Sequence, residues 1–418
     1  MKKIDCLLKR DVFELRSTEE VIKGTKKWVA QTYNPLEVAP IFGKGVWVRD
    51  SEEKQYLDML SCYSAQNLGY NHPEIVEAIK RFLGESRIPS ASRAFYNDQL
   101  DLLGEELSAL CGQEMILPKV TGVEGVEAAL KTARKWGYEV KGISPDKAEI
   151  ITCQNNFHGR TIAVIGFSTE EQYKRNFGPF PGGFKNIPFG DAEALEKAIT
   201  KNTAAFLAEP IQGEGGVIVA PTGYLREVRK ICSAKNVLLI ADEIQTGFGR
   251  TGKLFAYQHE DIKPDIVIVA KSLGASGFVP TSAILTSKKI MGLYQPGDDG
   301  STHGGMALAC ILARTGLRVI MKEKLSERSA KLGQYFVSCL KAVRSPHVLE
   351  IRGSGLMLGL ELKPESGGAR HFCESLKTEG LLCKDTHANV IRFMPPLIIT
   401  REEIDWAVEK IKKVLGEN

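Results

Sequence analysis

The chain has 418 residues, 43% hydrophobic and 25% charged, with 55 Lys and Arg against 51 Asp and Glu for a net charge of +4. That is ordinary globular composition, long enough for two lobes, and the slight charge without a Lys/Arg run argues against nucleic acid or an anionic membrane as principal partner. Nine scattered cysteines with no CxxC pair favour a reducing compartment, and seven histidines with no HxxxH or HExxH set give a metal enzyme little support.

The start, Met1 to Arg10, carries two lysines, then Asp5, and no long apolar segment, so it does not read as a secretory signal. No apolar run approaches the roughly 20 residues needed to span a bilayer. The expectation is a soluble, cytoplasmic protein.

Residues 1–40 are charged and irregular, with Tyr33-Asn34-Pro35 marking a turn or extended arm. Val46–Arg49 and Lys54–Leu60, joined by Asp50–Glu53, read as a β-hairpin that needs another surface to cover it. Residues 61–71 have loop composition. Asn71-His72-Pro73-Glu74 then starts a helix with Ile75, Ala78, Ile79 and Phe82 on one apolar face, and His72 reads as a helix-start or interface residue rather than a ligand.

Thr121-Gly122-Val123-Glu124 leads into a helical run through Ala128, Ala129, Leu130, Ala133 and Trp136. A small-residue turn entering a helix offers free N–H groups and the positive end of the helix dipole, which suit a phosphate. Thr is also a routine N-cap, so this signal is weak by itself.

From residue 148 the rhythm becomes strand, loop, helix. Strands read at Ala148–Cys153, Ala204–Ala208, Val237–Ala241, Ile266–Ala270 and Thr281–Leu285, and helices at Ala192–Thr200 and Tyr224–Lys235. Such alternation predicts right-handed crossovers and a mainly parallel sheet, an α/β fold. Val237–Ala241 ends on Asp242-Glu243, and Ile266–Ala270 delivers Lys271 into a loop with Gly274 and Gly277. Both runs are rich in branched aliphatics and do not alternate, as strands buried on both faces do. Each therefore pushes an ionisable side chain past the carboxyl edge of the sheet, where open α/β folds bind ligands. An acid and a lysine side by side there suggest a carbonyl cofactor: the lysine forms a Schiff base and the acid keeps a ring nitrogen protonated.

Ser301–Gly305 opens a long helical pattern reaching about Lys324. A charged helix (Leu325–Arg344), a strand at Met357–Leu362, a helix near Ala369–Glu379, a strand at Val390–Phe393 and a last helix at Arg401–Leu415 complete a plausible second lobe. The expected division is an N-terminal arm and hairpin packing with the small lobe (1–66), a large cofactor-binding domain (67–303) and a C-terminal small domain (304–418).

Several separated motifs then stand out: Ser92-Arg93-Ala94-Phe95-Tyr96-Asn97, Ala133-Arg134-Lys135-Trp136-Gly137-Tyr138, Phe157-His158-Gly159-Arg160-Thr161, Glu209-Pro210-Ile211-Gln212-Gly213-Glu214, Ala241–Gly247 and Ile391-Arg392-Phe393-Met394-Pro395-Pro396. Together they make the sequence resemble the class III (ω-amino acid) aminotransferases, and within them the ornithine δ-aminotransferase branch. The resemblance covers nearly the whole chain from Tyr33 onward. It implies the fold type I (aspartate aminotransferase-like) architecture and pyridoxal 5′-phosphate (PLP) as cofactor.

It also implies roles. Lys271 would carry the cofactor and shuttle the proton, Asp242 would pair with the ring nitrogen, Gln245 would contact the ring hydroxyl, and Phe157 would stack on the ring. Gly122 and Val123 would hold the phosphate through their N–H groups, with Thr302 reaching it from the neighbouring subunit of at least a homodimer. Arg392 would bind the α-carboxylate of glutamate or 2-oxoglutarate, and Glu214 would neutralise it when the donor is a diamine acid. Tyr33 and Arg160 would hold the distant α-carboxylate of ornithine, with Tyr63 lining the pocket. The implied reaction moves the terminal amino group of L-ornithine to 2-oxoglutarate, giving glutamate 5-semialdehyde and glutamate.

The loop after Lys271, Ser272–Pro280, is one residue longer than the family's compact turn. This keeps a racemase or epimerase open beside the other class III donors: acetylornithine, lysine and 4-aminobutyrate.

Overall fold

Residues 11–416 are described by the structure, a computed structural model. The signal-peptide reading of Met1–Arg10, and Cys6 with it, lie outside them. Three strands, β1 (Phe42–Lys44), β2 (Trp47–Arg49) and β3 (Gln55–Asp58), form an antiparallel sheet near the amino end. The central sheet follows, from β4 (Met115–Lys119), β5 (Glu149–Cys153), β6 (Phe184–Ile187) and β7 (Thr203–Ala208). After a two-stranded ribbon of β8 (Ile211–Gln212) and β9 (Ile218–Val219), it gains β10 (Leu238–Asp242), β11 (Ile266–Val269) and β12 (Ser282–Thr286). Its order is β4-β12-β11-β10-β7-β5-β6.

The inner strands β7, β10 and β11 are parallel and buried along their whole length, as their unbroken apolar runs require. Two departures from the sequence expectation have simple causes. β12 runs antiparallel to β11, because residues 270–281 hold tight turns and no crossover helix. The strands β4 and β6 come in addition to the expected five: both lie at the edges, and β4 carries Pro118, which an edge strand tolerates but which breaks a strand signal. The helix Gly122–Glu139 crosses the sheet closely. A Cβ at Gly125 would stand 3.1 Å from Ile268, and one at Gly137 3.0 Å from Ala204, so glycine here permits helix-on-sheet contact.

The C-terminal part adds β13 (Val348–Ser354), β14 (Met357–Leu362), β15 (Leu381–Leu382), β16 (Lys384–Thr386) and β17 (Val390–Phe393). Four form an antiparallel sheet in the order β13-β14-β17-β16, while β15 adds in parallel to β3. The cover that the amino-terminal hairpin needs therefore comes from the other end of the chain. Trp47 Nε1 donates to Glu403 Oε1 at 2.9 Å, and its ring meets Trp406 edge-on. One apolar core runs from Leu57 and Leu68 through Leu273 and Leu317 to Phe393 and Leu415, joining the sheets. The eight cysteines among the described residues are free thiols. No helix among those residues is long and apolar enough to cross a membrane.

Candidate active site

β10 and β11 are neighbours with Asp242 paired to Ile268, so Asp242 and Lys271 leave the same carboxyl edge of the sheet. Lys271 opens a 3₁₀ turn with φ +49°, a left-handed conformation rare for a side chain of this size. Such strain persists only where the surroundings impose it, and it turns the amine back over the sheet edge. A cavity of about 190 Å³ lies there, lined by Gly122, Val123, Phe157, Glu214, Asp242, Gln245 and Lys271 among others. Burial lowers the pKa of the Lys271 amine, and Arg392 lowers it further, against the raising effect of Glu214 and Asp242.

Both oxygens of Asp242 are engaged. Oδ2 meets His158 Nδ1 at 2.6 Å, and Oδ1 accepts from Ile244 N–H at 3.0 Å. Burial would strip the imidazole of its proton, but the bond to Asp242 outweighs it and the His158 pKa is raised. A rigid, charge-balanced carboxylate buried in the cavity wall can hold a protonated ring nitrogen.

At the other end, Thr121 caps the helix Gly122–Glu139 in a capping box with Glu124. The Glu124 carboxylate accepts from the N–H groups of Val120 and Thr121, and Thr121 Oγ1 accepts from Glu124 N–H. Gly122 and Val123 contribute the first-turn backbone that lines the cavity. Gly159, at φ +126°, lies so near that a Cβ would overlap the Val123 side chain.

The third group is ionic. Glu214 stands in the turn between β8 and β9, and Arg392 on the central strand β17 of the C-terminal sheet. Arg392 Nη1 donates to Glu214 Oε1 at 2.5 Å, with the arginine side chain only 2% exposed. Burial pushes the Glu214 carboxyl up, yet the Arg392 and Lys271 charges together hold it below its usual range. Gln245 Nε2 donates to Glu214 Oε1 at 3.3 Å and to the Tyr63 carbonyl at 3.4 Å, and the Tyr63 ring lies 5.2 Å from the Arg392 guanidinium. Gln245 Oε1 is buried with no partner.

Five of the expected residues are not in the cavity wall: Arg392 and Tyr63 stand behind Glu214 and Gln245, and Arg160, Tyr33 and Thr302 are exposed. Arg160 is exposed and rests on the Tyr173 ring, its guanidinium carbon 3.4 Å from the centroid and 5.6 Å from that of Phe157. Tyr33 is 75% exposed, and Thr302 is exposed in the loop before the helix Ala307–Lys322.

Two ionisable lining residues, His158 and Glu209, stand in the quoted motifs without a role. Glu209 follows directly on β7, so the strand-end rule that found Asp242 could have found it too. Its Oε2 accepts from Phe157 N–H at 3.0 Å, and burial pushes its pKa up to about 7.

The comparisons agree with this geometry. Residues 28–415 match the family model "Aminotransferase class-III". The chain is 52% identical over 402 residues to an ornithine aminotransferase of Geobacillus sp. (strain WCH70), covering 96% of this chain and 100% of that one. It superposes with a TM-score of 0.93 on an ornithine aminotransferase from Toxoplasma gondii, at 41% identity, covering 98% of this chain and 97% of that one; that structure is described as having partial occupancy of PLP at its active site. An acetylornithine aminotransferase from Elizabethkingia anophelis aligns at TM-score 0.86 and 42% identity, over 96% of this chain and 99% of that one. With a lysine and an acid meeting at the sheet edge and a family match over nearly its full length, the chain belongs to the class III aminotransferases.

Proposed function

We propose that the enzyme transfers the terminal (δ) amino group of L-ornithine to 2-oxoglutarate, giving glutamate 5-semialdehyde and glutamate, with PLP as cofactor. The observation that carries this reading is the Glu214–Arg392 pair at one end of a cavity whose other walls are Lys271 and Asp242. An arginine that is covered by a carboxylate tolerates a donor presenting an amine there. Uncovered, it binds a dicarboxylate through its fork.

The residues fit the cofactor. Asp242 is a fixed acid for a pyridine nitrogen, the helix start at Gly122 and Val123 suits a phosphate, and the orphaned Gln245 Oε1 needs a donor such as a ring hydroxyl. When bound, PLP supplies an electron sink for the charge left on the substrate carbon.

The protein's own part is to bind, orient and move a proton. Lys271 Nζ, with its pKa lowered by burial, would accept the proton of the substrate carbon and hold it for return. Phe157 provides a ring face, and its backbone is fixed by Glu209. Tyr63 borders the arginine end, and Arg160 and Tyr33, exposed outside the cavity wall, would hold the α-carboxylate of a long donor. Thr302, exposed in its own chain, suits the phosphate of a second copy in a homodimer.

The test is a half-reaction screen of single amino donors on the PLP-loaded enzyme, followed by absorbance. Ornithine is expected to convert the cofactor to its amine form fastest, and 2-oxoglutarate to restore it. A faster conversion by acetylornithine, lysine or 4-aminobutyrate would reassign the donor. Failure of any donor to accumulate the amine form would favour a racemase.

A further inference from the structure

The turn that carries Glu214 is closed by its own backbone, with Gly216 and Val217 N–H donating to the Gly213 carbonyl at 3.3 Å, and is held from outside by the C-terminal sheet. Arg352, on β13, donates from Nη2 to the Gly216 carbonyl at 2.7 Å, and from Nε to the Gly216 and Val217 carbonyls at 3.1 and 3.2 Å. Glu350 and Glu361 hold the remaining nitrogen, Nη1, so the fork is fixed from both sides. On the opposite flank, Thr386 Oγ1 donates to the Glu214 carbonyl at 2.6 Å.

Between these holders the backbone is strained. Val217 is fully buried and sits at φ +54°, a conformation hostile to a β-branched residue. A Cβ on Gly359 would come within 3.1 Å of the Val217 Cβ, so the sheet is pressed against the turn. On its inner side, a Cβ at Gly213 would overlap Gln245 Oε1, so the turn cannot move inward either. Strain of this kind persists only where the surroundings over-determine it.

We propose that Arg352 is a specificity-determining positioning residue: by clamping the Gly213–Val217 turn it fixes the backbone of Glu214 so that the carboxylate covers Arg392. This rests on the reading of Glu214 as the cover for Arg392 given above. With the backbone clamped on both flanks, the cover opens by rotation of the Glu214 side chain alone. The turn itself stays in place in both half-reactions. Arg352 touches neither substrate nor cofactor, so its effect reaches the substrate only through Glu214.

The experiment measures the ornithine and glutamate half-reactions separately for wild type, Arg352→Gln and Glu214→Ala. Release of the turn in Arg352→Gln is expected to raise KM for ornithine by about tenfold or more, a cost typical of small misplacements in a site. KM for glutamate is expected to stay level or fall, and the visible absorbance of the bound cofactor shows that the site still loads. Equal losses in both half-reactions, or none in either, overturn the assignment of Arg352. If Glu214→Ala affects both half-reactions equally, the cover itself is refuted. A selective effect in Glu214→Ala but not in Arg352→Gln refutes only the clamp. Should Arg352→Gln not fold, Thr386→Val removes a single hydroxyl from the other flank. It must then show the same asymmetry at smaller size, and a symmetric or null result overturns the proposal.

Discussion

His158 Nδ1 lies 2.6 Å from Asp242 Oδ2, with both side chains sealed from solvent, although 84 residues separate them in the chain. The pair gives the buried carboxylate a partner within the cavity wall, so its charge is balanced there. A hydrogen bond to a charged group contributes about 1.5–3 kcal/mol. Replacing His158 by Leu is therefore expected to lower turnover roughly ten- to a hundredfold and to weaken PLP binding, with equilibrium dialysis reading the latter. Unchanged affinity and turnover would show that Asp242 does not depend on this partner.

Lys271 reaches the cavity from a strained left-handed position, and its amine is the one group there able to bond covalently to a carbonyl. The variant Lys271→Ala is expected to fold with a melting temperature near that of wild type. Borohydride treatment in the presence of PLP should then fix no label to the protein, and steady-state turnover should vanish. Labelling at another lysine with retained turnover would contradict the role.

Glu214→Ala leaves the Arg392 guanidinium buried and uncovered. Turnover of ornithine is expected to suffer by well over tenfold, while that of glutamate changes little, because removing one partner of a buried ion pair strands the other charge. Stopped-flow absorbance of each half-reaction measures the split, and equal losses would remove the charge-cover argument.

Glu209 supplies a pH dependence. Burial raises its pKa from 4.5 to about 7, more than His158 and the Phe157 N–H lower it. The folded state thus holds this proton more tightly than the unfolded chain. Its contribution to stability is full below pH 4.5 and is lost as pH rises through about 7. In Glu209→Gln that titration is gone, so denaturant melts should show the variant gaining on wild type by a few kcal/mol across this window, and no further above it. A difference that does not vary with pH would place the titration elsewhere.

Arg250 is fully buried, and its donors all end on neutral acceptors: Ser61, Ser64, Asn67 and the carbonyls of Leu356 and Pro395. It ties the left-handed turn Ser61–Ser64, which carries Tyr63, to the segment that follows Arg392. Burial lowers its pKa to about 9. Arg250→Met is expected to destabilise the fold by about 3–5 kcal/mol in urea or guanidinium melts, since it removes a charged donor from five buried acceptors at once. A loss below about 1 kcal/mol would show that water replaces the guanidinium there.

Features that depend on near neighbours were legible in the chain. Unbroken apolar runs marked β10 and β11 as strands buried on both faces, Ala204–Ala208 read as a strand, and the strand-end rule placed Asp242 and Lys271 at one edge. The helix start at Thr121 followed from capping chemistry, and the separated motifs pointed to the family. Glu209 lies within reach of the same rule. The remaining features come from packing. The direction of β12, the β3–β15 pairing, the partnering of Asp242 with His158 and of Glu214 with Arg392, and the clamp of Arg352 on Val217 all join residues far apart in the chain, 178 positions in the case of Glu214 and Arg392. Periodicity and capping act over a turn or two of backbone, whereas these contacts are fixed by how separate elements pack, and that packing is a property of the whole core.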